Sequence, residues 1–173
     1  MTIWTNTLVT LIWAASLFDL RFQPFVFLRQ HSVRTASAMY ILFVGIVYHL
    51  LLSGNITFST RLDWFNDFIL HTIVPILFVA YWLFALPKSH IEPGKALRFM
   101  WYPLVYGVYT FIRGAITDMY PYPFFDVPKL GYPAVLLNGL GFMLFYGFIG
   151  LLLISLNNRW AEREARITWR ENH

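Results

Sequence analysis

Apolar residues fall in five long runs, near residues 3 to 18, 38 to 53, 68 to 86, 99 to 117 and 133 to 156, and the polar residues collect between them. None of the runs alternates with the period of two that a half-buried strand requires, so each predicts a helix. At ~1.5 Å rise per residue each crosses or nearly crosses a hydrocarbon core of ~30 Å, the first two being marginal. Backbone polar groups inside a bilayer must be satisfied within the protein, which leaves helices or closed barrels. A barrel would need alternating segments of roughly ten residues, which these continuous runs do not resemble. The pattern therefore predicts an all-α protein: a polytopic transmembrane helix bundle of five helices. It forms one domain over residues 1–173, has no internal repeat, and ends in a basic tail over 157–173.

Composition strengthens the membrane reading. The 173 residues are 58% hydrophobic, 20% aromatic and only 13% charged, with a mean hydropathy of +0.55, outside the usual range of soluble domains. There is no cysteine, which removes disulfides, thiol nucleophiles and thiolate metal sites. The net charge of +4 does not point to nucleic acid, because the basic residues sit in the loops between apolar runs, where lipid headgroups and topology account for them. Of thirteen Lys and Arg residues, ten fall in the segments 19 to 37, 87 to 98 and the tail. By the positive-inside rule that side is cytoplasmic, which puts the C-terminus inside and the N-terminus outside.

The first run starts at residue 3 with no charged region or cleavage site ahead of it, so it does not read as a signal peptide. A leaderless chain with an outside N-terminus leads us to expect a further helix encoded upstream of Met1. A five-helix protein is the alternative.

This topology gathers the polar residues of the apolar runs at the outer face. Thr2, Thr5 and Asn6 begin the first run, Tyr48 and His49 end the second, and Asp67 and His71 begin the third; Arg113 and Asp118 end the fourth, followed by "MYPYPFFD" at 119 to 126. Ionisable residues in membrane segments are costly and usually point into a bundle or wet cavity. Asp67 and His71 are four residues apart and share a helix face, so the carboxylate can orient the ring and fit it for general-base work. The same histidine also fits a ring satisfied by a backbone carbonyl or a headgroup. Pro75 predicts a kink. Arg113 is placed either to clamp a carboxylate or phosphate or to pair with Asp67, Asp118 or Asp126. The prolines of "YPYPF" exclude helix there and predict an aromatic cap, and the rim of the outer site is read as Tyr48, His49, Asp118, Tyr120, Tyr122 and Asp126. Thr2, Thr5, Thr7 and Thr10 fit helix capping or carbonyl bonding, and a threonine hydroxyl attacks nothing without a nearby base. No dense ligand spacing such as HExxH is present, so no metal and no cofactor are predicted.

The ordered set "TIWTN" (2 to 6), "GIVYHLLL" (45 to 52), "DFILHTIVPILF" (67 to 78), "WYPLVYGVYTFIRGAITDMYPYPFFD" (101 to 126) and the glycine-rich last run resembles the Pr-six-Pr family of bacterial membrane proteins over nearly the whole chain. More distantly, the early threonine, the histidine followed four residues later by proline, and the Tyr-Pro-Phe turn resemble the androgen-induced and androgen-dependent membrane hydrolases. The resemblance implies a six-helix family fold in a bacterial inner membrane and cleavage of fatty-acid esters of hydroxy fatty acids, with membrane lipids as surroundings and an acyl ester as substrate. It implies Thr2 as nucleophile and His71 as base, with Thr5 one turn away as the competing match. Asp67 would then orient His71, and Asn6 or Arg113 would stabilise the oxyanion or bind a distal carboxylate. A non-enzymatic lipid- or ligand-binding protein, or a transporter, is the alternative reading.

Overall fold

A computed structural model describes residues 1–18 and 21–171, and every regular element among them is helical. Apart from short 3-10 turns, seven helices follow one another among the described residues: α1 (Thr2–Leu17), α2 (Gln23–Leu28), α3 (His31–Leu52), α4 (Arg61–Ala85), α5 (Lys95–Phe99), α6 (Trp101–Thr117) and α7 (Val127–Glu171). Three of them, α3, α4 and α7, are long and apolar enough to cross a membrane, while α1 is apolar but shorter. At ~1.5 Å per residue, the 22 residues of α3 and the 25 of α4 reach ~33 and ~37 Å, beyond a ~30 Å hydrocarbon core.

The helices extend past the apolar runs, for local reasons. Thr60 caps α4 with a reciprocal pair: its hydroxyl accepts from the Asp63 N–H at 3.1 Å, and its own N–H donates to the Asp63 carboxylate at 3.0 Å. This capping box starts the helix at Arg61, seven residues before the apolar run near 68 to 86. α3 likewise begins at His31, through polar first turns that an apolar count passes over. The run near 99 to 117 is broken at Met100; Pro103, which has no N–H, stands four residues after Phe99 and prevents an α-helical bond to its carbonyl. α7 takes in the expected basic tail as helix, and its 45 residues include a break at Gly131, whose φ of 75° suits glycine.

The chain forms two compact units, Met1–Glu92 with Leu152–His173, and Pro93–Leu151. In the first, α1, α3 and α4 pack on one another, α3 being the most buried of the long helices. Within a bilayer, where lipid tails are as apolar as leucine, such packing depends on close fit rather than on water exclusion. Small residues supply it: Ala36, Ser37 and Ala38 are buried on α3, and at Gly45 an added Cβ would lie 3.2 Å from the Pro75 Cβ and 3.3 Å from the His71 carbonyl oxygen. At the other end of this unit, the fully buried Asn157 donates to the Ser89 carbonyl at 2.7 Å and accepts from His31 Nε2 at 2.6 Å, fixing the lower part of α7 to α3.

Candidate functional site

Within α3 and α4 the helical register is interrupted by single π-helical turns, at Tyr48–Leu52, Ile69–Ile73 and Tyr81–Ala85. π-turns inside α-helices concentrate at functional sites, because the extra residue re-aims side chains and breaks the regular bonding ladder. The first carries Tyr48 and His49; the second carries His71 and Thr72. In the second turn the Val74 N–H donates to the Ile69 carbonyl, five residues back. The Leu70 carbonyl, the α-helical acceptor for Val74, is thereby released, and Asn6 of α1 takes it: Asn6 Nδ2 donates to Leu70 O at 3.2 Å and to Thr2 O at 2.9 Å. The irregularity in α4 thus provides the polar handle by which α1 is held against it.

That tie brings Thr2 to His71. Thr2 Oγ1 lies 3.0 Å from His71 Nε2. On the far side of the ring, Nδ1 lies 3.0 Å from an Asp67 carboxylate oxygen and 3.1 Å from the Asp67 carbonyl. Both of these partners are acceptors, so the ring proton belongs on Nδ1, and Nε2 presents a lone pair to the Thr2 hydroxyl. The other Asp67 oxygen accepts from the Tyr48 hydroxyl, and the Tyr48 ring stacks on the imidazole at 4.0 Å and 11°. Asp67 and His71 keep only 18% and 14% side-chain exposure. The result is a hydroxyl, an imidazole and a carboxylate in line, with the carboxylate and ring held by a buried tyrosine.

Asn6 does not have the oxyanion role assigned to it from sequence. Both of its N–H groups are committed to carbonyls, and the group left over, its buried and unpartnered Oδ1, is an acceptor. It acts as a positioning residue between Thr2 and α4. Thr5, the competing threonine, is fully buried one turn further along α1. His49 turns to a different partner, its Nε2 lying 3.1 Å from Thr72 Oγ1. Thr72 was not singled out from sequence, though its place next to His71 and three residues before Pro75 was a signal. His49, Thr72 and His71 line the polar part of a groove of ≈ 550 Å³ between α3 and α4.

The remaining predicted residues belong to the second unit. Arg113 is exposed on α6 and, among the described residues, pairs with no carboxylate, so of the two roles read from sequence the pairing with Asp67, Asp118 or Asp126 is not formed. Asp118 ends α6 in the left-handed conformation, φ 54°, which aspartate tolerates better than most residues. Tyr120 packs on Gly114, and desolvation, with Tyr132 and the charges of Asp118 and Asp126 adding to it, raises its phenol above the usual tyrosine value. Asp126 pairs with Lys129 at 2.9 Å and accepts from the Lys129 N–H at 3.3 Å, capping α7. Tyr122 stacks on Phe124. Contrary to the expected absence of helix, Pro123–Phe125 form one 3-10 turn. A proline in a first helical turn loses no bond that it would otherwise make, and the restriction falls on the preceding Tyr122, which is extended.

The chain matches no protein-family model, no curated protein and no solved structure.

Proposed function

We propose that the protein is a multi-pass membrane hydrolase of acyl esters, with Thr2 as nucleophile, His71 as base and Asp67 as the group that orients the base. The observation that carries this reading is the 3.0 Å approach of Thr2 Oγ1 to His71 Nε2, with Asp67 on the opposite ring nitrogen. Threonine is inert as a nucleophile until a base stands beside it, and here one does. In the reaction, His71 Nε2 takes the Thr2 proton as Oγ1 bonds to the ester carbonyl carbon. It then returns that proton to the departing alkoxide oxygen as the C–O bond breaks. Water, deprotonated by the same nitrogen, releases the acid and restores the threonine. Asp67, held by Tyr48, keeps the lone pair directed at Thr2 and stabilises the imidazolium formed in each half-reaction. The resemblance to the androgen-induced hydrolases supports the same assignment. In this reading the chain lies in a bacterial inner membrane with its C-terminus cytoplasmic, and the site draws its substrate from surrounding lipid.

Purified protein in detergent, tested with acyl esters and a fluorophosphonate probe, decides the matter. Thr2→Ala and His71→Ala are each expected to lower turnover by about 10³-fold, with the double variant no worse than either alone, because residues acting as one unit are non-additive. The probe labels the wild type and not Thr2→Ala. Labelling lost in Thr5→Ala but kept in Thr2→Ala moves the nucleophile to Thr5. Absence of both turnover and labelling in a folded wild type ends the hydrolase reading in favour of a non-enzymatic lipid-binding protein.

A further inference from the structure

We propose that the end of the first unit at which α1 and α4 finish and α3 begins holds the phosphate of an anionic membrane lipid, with Arg34 as its clamp and Lys88 beside it. The site does not depend on the hydrolase reading: fourteen residues of α1, ~21 Å at ~1.5 Å each, separate it from Thr2. Three helices meet there at one hydroxyl. Ser16, next to the last residue of α1, accepts from Arg34 Nη2 of α3 at 3.0 Å and from the Tyr81 hydroxyl of α4 at 3.2 Å, while its own proton goes to the Ile12 carbonyl at 2.8 Å. Ser16 therefore fixes the guanidinium in place without neutralising it.

Among the described residues Arg34 pairs with no carboxylate. Its Nε is buried and bonds nothing, and Nη1 makes no hydrogen bond although it is not enclosed. A guanidinium is always charged and carries its donors in a planar fork, so Nη1 and the second proton of Nη2 remain as a two-pronged donor that matches two phosphate oxygens. Lys88 supplies a second cation. Its amine stands 4.4 Å over the Trp82 ring and 5.7 Å from that of Trp160, donates to the Trp82 carbonyl and, among the described residues, forms no ion pair. Burial lowers the Lys88 pKa from the usual lysine value, with Glu164 opposing, and a neighbouring anion offsets that cost. Arg34 and Lys88 both act electrostatically on His31, the first residue of α3, so the two cations share one end of that helix. α3 has no acidic residue in its first turn, and the partial positive charge of its start adds to theirs. The opposing carboxylate, Glu164, is already engaged by the Lys88 N–H at 3.3 Å. The depth suits a headgroup: His31 opens the apolar span of α3 and Ala85 closes that of α4, so both cations stand within about one turn of where hydrocarbon gives way to lipid phosphate. Leu17 and Phe84, near the ends of α1 and α4, are largely exposed and give the tails of a lipid, which a free phosphate lacks, an apolar surface.

The test is thermal unfolding of the full chain in detergent with added phosphatidylglycerol, phosphatidylcholine or inorganic phosphate, joined to native mass spectrometry of the lipid retained. Phosphatidylglycerol is expected to raise Tm by about 5 °C and to stay bound; phosphatidylcholine, whose choline cancels the phosphate charge, does neither. Arg34→Gln is expected to weaken phosphatidylglycerol binding about tenfold, and Lys88→Gln to weaken it by a smaller factor. Arg170→Gln, on the exposed end of α7, leaves it unchanged. Should Arg34→Gln not fold, Arg34→Lys, which keeps the charge and loses the fork, and Lys88→Gln decide by the same readout. An equal shift with phosphatidylcholine, or full retention of phosphatidylglycerol in the Arg34 and Lys88 variants, overturns the site. Protection by inorganic phosphate equal to that by the lipid, and lost in the Arg34 variant, overturns the lipid and leaves a free anion as the ligand.

Discussion

Asp67 connects the residues of the site, accepting from Tyr48 with one oxygen and from His71 with the other. Asp67→Asn exchanges an acceptor-only group for one that also carries donors, and the imidazole can then settle with its proton on the nitrogen facing Thr2. Turnover is expected to fall about 10³-fold with KM little changed, whereas Tyr48→Phe, which removes one hydrogen bond but keeps the stacked ring, costs about tenfold. Steady-state kinetics of the two variants checks both, and equal losses would place the two residues in one structural role. At this scale part of the arrangement was legible in the sequence. The four-residue spacing of Asp67 and His71 was enough to put carboxylate and ring together, because α-helical neighbours one turn apart meet. Thr2 came from resemblance alone, since sixty-nine residues of chain separate it from His71 and no local rule spans that distance. The work of Asn6 was hidden for a different reason: its acceptor, the Leu70 carbonyl, is free only because of a π-turn that residue types do not announce.

Among the helices, the apolar runs gave the centres reliably and the ends poorly. Hydropathy reports what sits in hydrocarbon, while ends are fixed by single polar bonds such as the Thr60–Asp63 box, which a search for the capping pattern would have found. The connections are more demanding than the loop reading suggested. α6 turns back on itself through Asp118 so that the Tyr120 ring covers Gly114, where a Cβ would stand 2.1 Å from a ring carbon. Nothing larger than hydrogen fits unless the ring moves. Gly114→Ala is therefore expected to destabilise the protein by about 1–3 kcal/mol, and Tyr120→Ala to remove most of that penalty in the double variant. Thermal unfolding of the four proteins in detergent measures the coupling; additive losses would show that the ring and the glycine do not share the space.

For the whole molecule, the balance of basic residues predicts an orientation that the positions of the helices leave open. Ten of the thirteen Lys and Arg residues fall in the segments 19 to 37, 87 to 98 and the tail, so by the positive-inside rule a reporter fused to the C-terminus is expected to read out as cytoplasmic. An external signal would invert the molecule and put Thr2 and His71 at the inner leaflet. The division into two compact units was not visible in the pattern, since both are written in the same apolar, aromatic-rich composition and α7 runs from one into the other.

Pro75 gives the π-turn of α4 its permanence. Lacking an N–H, it cannot offer the His71 carbonyl the bond that a regular α-helix would place four residues on. The irregularity therefore cannot anneal into ordinary α-helix at that point, and the ring of His71 keeps its aim at Thr2. Pro75→Ala would return the missing donor and let the register close, turning His71 by up to ~100° about the helix axis. Such a variant is expected to melt higher than the wild type and to lose most of its ester turnover, a mutation that improves the protein by the measure of folding and disables it by the measure of chemistry. Paired melting and turnover measurements would expose the exchange; a variant that kept full turnover would show that the proline is no lock. The proline works as a pawl: it holds in place a break in the bonding ladder that any residue with an N–H would let close.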